Sequence, residues 1–185
     1  MSLDLAQQRI ALVGTGHRGT GMWGKELLSR LGPQVDLVGL CDINGMRAHR
    51  SQRAIGTNAP VFTDFGEMLS TLRPATVMVC TRDDTHDDLI VQALEAGSDV
   101  ITEKPMATTA AKCRRILEAE ARTGRKVNVA FNYRYAPFGA KIKELLMEGA
   151  IGEITSIDFH WYLDTRHGAD YFRRWHAYQK NSGSL

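Results

Sequence analysis

Three groups of residues in this chain of 185 have the types and spacing to do chemistry. Gly14, Gly16 and Gly19 stand in G-x-G-x-x-G spacing within RIALVGTGHRG, residues 9–19. Glycines so placed can make a tight turn, let a pyrophosphate approach the backbone, and let a helix pack closely on the preceding strand. The first amides of that helix, around His17, Arg18 and Gly19, and the positive end of its dipole would then face the anion. Asp42 lies 23 residues after Gly19 and closes an apolar run. A carboxylate there can accept both ribose hydroxyls of an adenosine and would repel a 2′-phosphate. Glu103-Lys104-Pro105 directly follows another apolar run. Ligands in an open parallel sheet bind beyond the carboxyl ends of the strands, so Lys104 is expected to face a bound nucleotide, held extended by Pro105.

The elements that must position these residues are legible as alternating patterns. Residues 10–13 and 35–41 are nearly continuous apolar runs, as in strands buried on both faces, and residues 76–80, 100–102 and 126–131 read as further strands. A short strand is expected at 60–63, and helices at 20–31, 46–55, 65–72, 85–96 and 109–121. Asp64 is the expected N-cap of its helix, with Glu67 three residues on, and Gly97 a C-cap. Strands alternating with helices predict α/β architecture, a Rossmann-type doubly wound parallel sheet over residues 1–131. Strand, glycine turn, helix, strand and acid in that order imply NAD, with NADP less favoured. Arg47 and Arg50 could take a 2′-phosphate, but read first as a solvated helix face.

The pattern changes near residue 132. Residues 138–147 read as one more helix, and residues 153–163 as a long strand in which Ile157, Phe159, Trp161 and Leu163 alternate with Asp158, His160 and Tyr162. That period of two belongs to a sheet with one covered face. Residues 132–185 are therefore expected to open an incomplete α+β substrate and oligomerisation domain. The roughly 35 residues from Ile151 are too few for a core of their own. Partners for Tyr171, Phe172 and Trp175 are expected from further chain or other subunits, and hydrogen exchange is expected to be poorly protected after residue 150.

The formal net charge is +2, with 43% hydrophobic and 24% charged residues. So even a balance argues against nucleic acid or a membrane surface as partner. Cys41, Cys80 and Cys113 are far apart and read as reduced fillers, which points to the cytoplasm. No apolar run reaches membrane-spanning length. The spacings of His160, Asp164, His167, Asp170 and His176 match no compact ligand motif, so no metal is expected.

The chain resembles the Gfo/Idh/MocA oxidoreductases, the family of glucose-fructose oxidoreductase and inositol dehydrogenase. The resemblance rests on GTGHRG, Asp42, TRDDTHDDLIVQALEAG, VITEKP and NYRYAP, in the family's order. It implies hydride transfer between a nicotinamide and a hydroxyl carbon of a sugar, polyol or related compound, and homo-oligomers formed through the second domain. Lys104 matches the family's active-site lysine, and Glu103 an acid that positions the cofactor. Thr81 and His86 match positions lining the dinucleotide cleft, and Arg134 a substrate or cofactor contact at the domain junction. Arg82 stands where the family often has proline.

The family's acid/base Asp and His pair follows a Gly-Gly-rich turn that would begin about where this sequence reads Ser182-Gly183-Ser184-Leu185. The chain is thus expected to lack that histidine and to be inactive by itself. Two other readings stay open. One is an NAD-dependent glycosidase-like enzyme that oxidises its sugar only transiently. The other is a non-catalytic nucleotide-binding regulatory module, against which Lys104 argues.

Overall fold

The computed structural model describes residues 7–162 and 164–183, and within the helix at 165–173 it leaves the side chains of residues 166–168 and 170 undescribed. Six parallel strands form one sheet: β1 (Gln8–Val13), β2 (Val35–Cys41), β3 (Val61–Phe62), β4 (Thr76–Val79), β5 (Asp99–Thr102) and β6 (Val127–Val129). Their order is β3-β2-β1-β4-β5-β6, the doubly wound arrangement in which the order of strand addition reverses between β1 and β4. The helices are α1 (Glu26–Leu31), α2 (Gly45–Ile55), α3 (Phe65–Leu72), α4 (His86–Glu95), α5 (Ala110–Thr123), α6 (Pro137–Met147), α7 (Thr165–Arg173) and α8 (Gln179–Ser182).

The apolar runs split between the two faces of the sheet because successive side chains alternate. Ile10 and Leu12 join Leu37, Leu40 and Met78 on one face, against Trp23, Leu27, Leu28 and Ile55. Ala11 and Val13 join Val77, Val79 and Val100 on the other, against α3, α4 and α5 through Met68, Ile90, Leu94 and Ile116. Leu12 and Leu40 are at most 1% exposed, and burial of a side chain of that size contributes about 1.5–3 kcal/mol. Helix ends follow the capping residues. Asp64 accepts the Glu67 N–H at 2.7 Å, and Thr109 Oγ1 that of Lys112 at 3.3 Å.

The course of the elements departs from the sequence reading most at two places. The helix expected from residue 20 begins at Arg18, and residues Arg18–Lys25 are wound as a π-helix before α1 continues. Glycines permit the wide turn to lie close to its neighbours. A Cβ on Gly19 would stand 2.1 Å from Gly14 O, and one on Gly24 2.3 Å from Ile55 Cδ1.

The strand expected over 153–163 is not formed among its described residues, and Leu163 lies outside them. A strand needs a hydrogen-bonding neighbour, and residues 153–162 have none in the sheet. Ile157, Phe159 and Tyr162 are 75–92% exposed, while Trp161 stacks on Phe159 and tilts against Tyr133, centroids 5.9 and 5.4 Å apart. The tail, by contrast, returns to the sheet. Asn181 is buried and donates to Trp175 O at 3.0 Å, α8 packs on the 3-10 turn Asp83–Thr85, and Gly183 lies against Thr108. A cleft of about 410 Å³ between tail and turn is lined by Arg82, Asp84, Tyr178, Lys180 and Asn181.

Candidate active site

The three glycines differ physically. Gly14 turns the chain out of β1 at φ +90°, and a Cβ there would stand 2.6 Å from the Cys80 carbonyl carbon. This is the point where β1 and β4 diverge, the place at which doubly wound sheets open a crevice. Gly19 has the backbone of Gly14 against it, whereas Gly16 has nothing within 4 Å of its would-be Cβ. The middle glycine therefore faces open space at a helix start, where leading amides lack intrahelical acceptors. Turn, open face and close approach are what a pyrophosphate cradle requires, so these residues fit a dinucleotide.

Asp42, at the end of β2, is 4% exposed. Its Oδ2 accepts the Thr15 N–H at 2.9 Å, the Thr15 hydroxyl at 2.8 Å and Arg47 Nε at 2.9 Å. Its Oδ1 accepts the Asn44 N–H at 2.9 Å and Arg47 Nη2 at 2.6 Å. Burial pushes this carboxyl up, but the hydrogen bonds from Arg47, Asn44 and Thr15 outweigh burial and hold it below the usual carboxylate range. Arg47 had read as a solvated helix face, and the structure instead pairs it with Asp42.

Glu103 follows β5 and is 6% exposed. Its Oε1 accepts both Arg18 Nε and Trp23 Nε1, each at 2.7 Å. The π-wound turn brings residues 18 and 23, five apart, to the same carboxylate. Glu103 thereby ties the glycine turn to the loop that carries Lys104. Lys104 is exposed just past the carboxyl end of β5, and its bond to Pro105 is cis.

His86 is fully buried. Its Nδ1 is 2.8 Å from Pro105 O and its Nε2 3.3 Å from Thr81 O. Burial lowers its pKa, and the two carbonyls only partly offset that. A neutral ring with its proton on Nδ1 donates to Pro105 and braces the Lys104 loop against the loop after β4. The structure therefore puts His86 beneath the cleft, as a brace. Thr81, partly buried, accepts from the Thr85 hydroxyl at 2.8 Å. His17 is exposed on the glycine turn, and Arg134 on the 3-10 turn Asn132–Tyr135 after β6.

Asp83 escaped the sequence reading. Burial raises its carboxyl to about 6, with Lys104 opposing and Asp84 and Glu103 reinforcing the shift. Trp23 was also missed, although its separation of five from Arg18 carried the signal once a π-turn is allowed. Cys41, raised to about 12 by burial and by Asp42, is a neutral filler. Among the described residues, no group of three or more His, Cys, Asp or Glu is placed to hold a metal ion, and no helix is long and apolar enough to cross a membrane.

The chain is 43% identical over 182 residues to a protein of Bacillus subtilis (strain 168) named as oxidoreductase YteT, covering 96% of this chain and 42% of that one. It is 35% identical over 150 residues to inositol 2-dehydrogenase of Rubrobacter xylanophilus, covering 80% and 42%. The scyllo-inositol dehydrogenase of Lactobacillus casei, solved with NAD(H) and scyllo-inositol, shares the fold at a TM-score of 0.73 and 23% identity, covering 80% of this chain and 43% of that one. The chain thus spans less than half the length of these relatives. The family model GFO_IDH_MocA, described as an oxidoreductase family with an NAD-binding Rossmann fold, matches residues 8–131. With that match laid over the parallel sheet, the glycine turn and Glu103-Lys104-Pro105, the chain belongs to the Gfo/Idh/MocA oxidoreductase family.

Proposed function

We propose that residues 1–131 bind NAD along the carboxyl edge of the sheet and form the cofactor half of an oxidoreductase acting on a hydroxyl carbon of a sugar or polyol. Residues 132–185 begin the substrate-facing domain, through which the protein forms homo-oligomers, and the protein works in the cytoplasm. The observation that carries this reading is the joining of the glycine turn to the lysine loop through Glu103, which accepts from Arg18 and Trp23 at 2.7 Å while Lys104 stands exposed beside it. The 35% identity to an inositol 2-dehydrogenase supports the substrate class.

In this reading the amides from Gly16 to Gly19 and the Arg18 guanidinium hold the pyrophosphate, Asp42 the adenosine ribose, and Thr81 the inner wall of the cleft. NAD supplies the hydride acceptor. As a base of the substrate domain takes the hydroxyl proton, Lys104 Nζ donates to the same oxygen and stabilises the negative charge that develops there. Glu103 fixes Arg18, His86 fixes the loop, and Arg134 meets the substrate from the junction.

The test is a calorimetric titration of the chain with NADH, together with polyol-dependent NADH formation by the full-length protein. Lys104→Met is expected to keep NADH binding and to lower turnover by about 10²-fold or more, as removal of one donor to a developing oxyanion does. Unchanged turnover in that variant refutes the role of Lys104, and absence of NADH binding to the chain refutes the cofactor reading.

A further inference from the structure

The cleft of about 410 Å³ between the tail and the loop after β4 is not used by the glycine turn or by Asp42. Its volume lies within the range of small-molecule sites. Two of the residues lining it are cationic, Arg82 from the loop and Lys180 from α8, and Asp84 is the acid among them. The tail that closes the cleft is seated. Asn181, next to Lys180, is buried, and its side-chain amide donates to Trp175 O at 3.0 Å.

Both cations have donors to spare. Arg82 gives Nε to Asp84 Oδ1 at 3.1 Å and Nη2 to Asp84 Oδ2 at 2.9 Å, a fork that fixes the guanidinium plane and leaves Nη1 unengaged. Its backbone is fixed as well, since Arg82 O accepts the Thr85 amide at 3.0 Å and the Thr85 hydroxyl at 2.8 Å. Asp84 offsets the charge of Arg82. Lys180, exposed and without an ion pair among the described residues, therefore leaves the cleft cationic.

The cleft adjoins the lysine loop on both of its sides. On one side His86 bonds the loop after β4 to Pro105, its ring nitrogens 3.3 Å from Thr81 O and 2.8 Å from Pro105 O. Asp83, between Arg82 and Asp84, is near enough to Lys104 for the ammonium to act on its carboxyl. On the tail side Gly183 lies against Thr108, in the segment that follows Lys104. A molecule that presents a hydroxyl to Lys104 thus has a cationic cleft beside it, and an ionised substituent can fill that cleft. We infer that Arg82 and Lys180 form an anion subsite, and that the sugar or polyol oxidised at Lys104 carries a carboxylate or a phosphate held there. The inference rests on Lys104 facing the substrate of an NAD-dependent reaction, and adds to that reading the charge of the substrate.

The experiment is calorimetric titration of the NADH-loaded full-length protein with D-glucose, D-glucuronate and D-glucose 6-phosphate, for the wild type, Lys180→Met, Arg82→Gln and Lys126→Met, with thermal melts of each. At least one of the two anions is expected to bind about tenfold or more tighter than glucose, as one charge-assisted contact provides. The tighter of the two tells carboxylate from phosphate. Lys180→Met is expected to keep NADH binding and to bring that advantage to within about threefold. Arg82→Gln frees Asp84 to repel an anion and is expected to remove the advantage. Lys126→Met, just before β6 at the opposite edge of the sheet, is expected to leave it within about twofold, because a distant surface charge is screened.

The inference is overturned if neither anion binds, if neither binds tighter than glucose, or if Lys180→Met leaves the advantage intact. An equal loss in Lys126→Met overturns it as well, because the advantage is then one of overall charge. NADH binding without a preference for either anion defeats only this assignment. Failure of the wild type to take up NADH defeats the cofactor reading along with it. Because Lys180 is exposed and carries no ion pair among the described residues, Lys180→Met is expected to melt with the wild type.

Discussion

Glu103→Ala tests the joint between the glycine turn and the lysine loop. The carboxylate accepts one bond from a guanidinium and one from an indole. Hydrogen bonds to a charged group contribute about 1.5–3 kcal/mol each. Arg18 is 42% exposed on its side chain and can rehydrate when released, so its share falls to the range of an exposed pair, about 0–1 kcal/mol. The Trp23 indole N–H is only partly exposed and keeps most of its value.

Removing a buried carboxylate also relieves its desolvation, which offsets part of the loss. The expected net destabilisation is about 2 kcal/mol, a shift in urea midpoint of about 1 M at the usual slope for a chain of this size. The assay is urea unfolding followed by far-UV circular dichroism, run beside Trp23→Phe and the double variant. The double-mutant cycle should give a coupling of about 1 kcal/mol between Glu103 and Trp23. A second readout is the emission of Trp23 with Trp161 and Trp175 replaced by Phe, which should shift to the red when its acceptor is gone. Wild-type stability in Glu103→Ala together with zero coupling would refute the claim that this carboxylate holds the turn to the loop.

The glycines give a paired prediction. Gly19→Ala puts a Cβ 2.1 Å from a backbone oxygen and should cost about 1–3 kcal/mol, whereas Gly16→Ala, which meets nothing within 4 Å, should keep its melting temperature yet lose NADH affinity by calorimetry. Asp83 predicts a pH dependence. Its folded pKa, raised to about 6, means that the native state holds a proton the unfolded chain has released, so stability falls as pH rises from about 4 through 6. Asp83→Asn should therefore raise the melting temperature at pH 7 and leave it unchanged near pH 3.5. Asp42 has the opposite sign, because its lowered pKa gives stability that is present above about pH 4 and lost as the medium is acidified. In Asp42→Ala that loss on acidification should be smaller in urea titrations at pH 5 and pH 3.

The fold was legible where an element's partner lies nearby in sequence. Val35–Cys41 and Thr76–Val79 declare themselves as buried strands because both their faces are covered by helices of the same region. The residues of the candidate site were legible for a related reason. In this architecture chemistry gathers at strand ends, and Gly14, Asp42 and Lys104 each stand where an apolar run stops. What escaped were the side chains' mutual choices. The pairing of Arg47 with Asp42 depends on one rotamer, and the convergence of Arg18 and Trp23 on Glu103 depends on a π-turn that glycine content permits but does not announce.

Residues 153–162 show the other limit of such reading. Their alternation states which side chains want cover, and the pattern is as regular as that of any strand in the sheet. Yet alternation specifies a face, while a strand exists only when its amides and carbonyls have a neighbouring edge. The sheet ends at β3 and β6, and residues 153–162 pair with neither edge. The segment therefore uses what is within reach, the ring of Tyr133 for Trp161, and leaves Ile157, Phe159 and Tyr162 in water. Exposed apolar surface on α6, at Phe138, Ile142, Leu145 and Met147, lies in the same part of the chain. Burying both would supply the cover that the alternation calls for. A chain extended to the length of its relatives should thus protect the amides of residues 153–162 from exchange, while leaving those of β1 and β4 as they are. Equal exchange at 153–162 in the longer and shorter chains would mean that the alternation had been misread as strand.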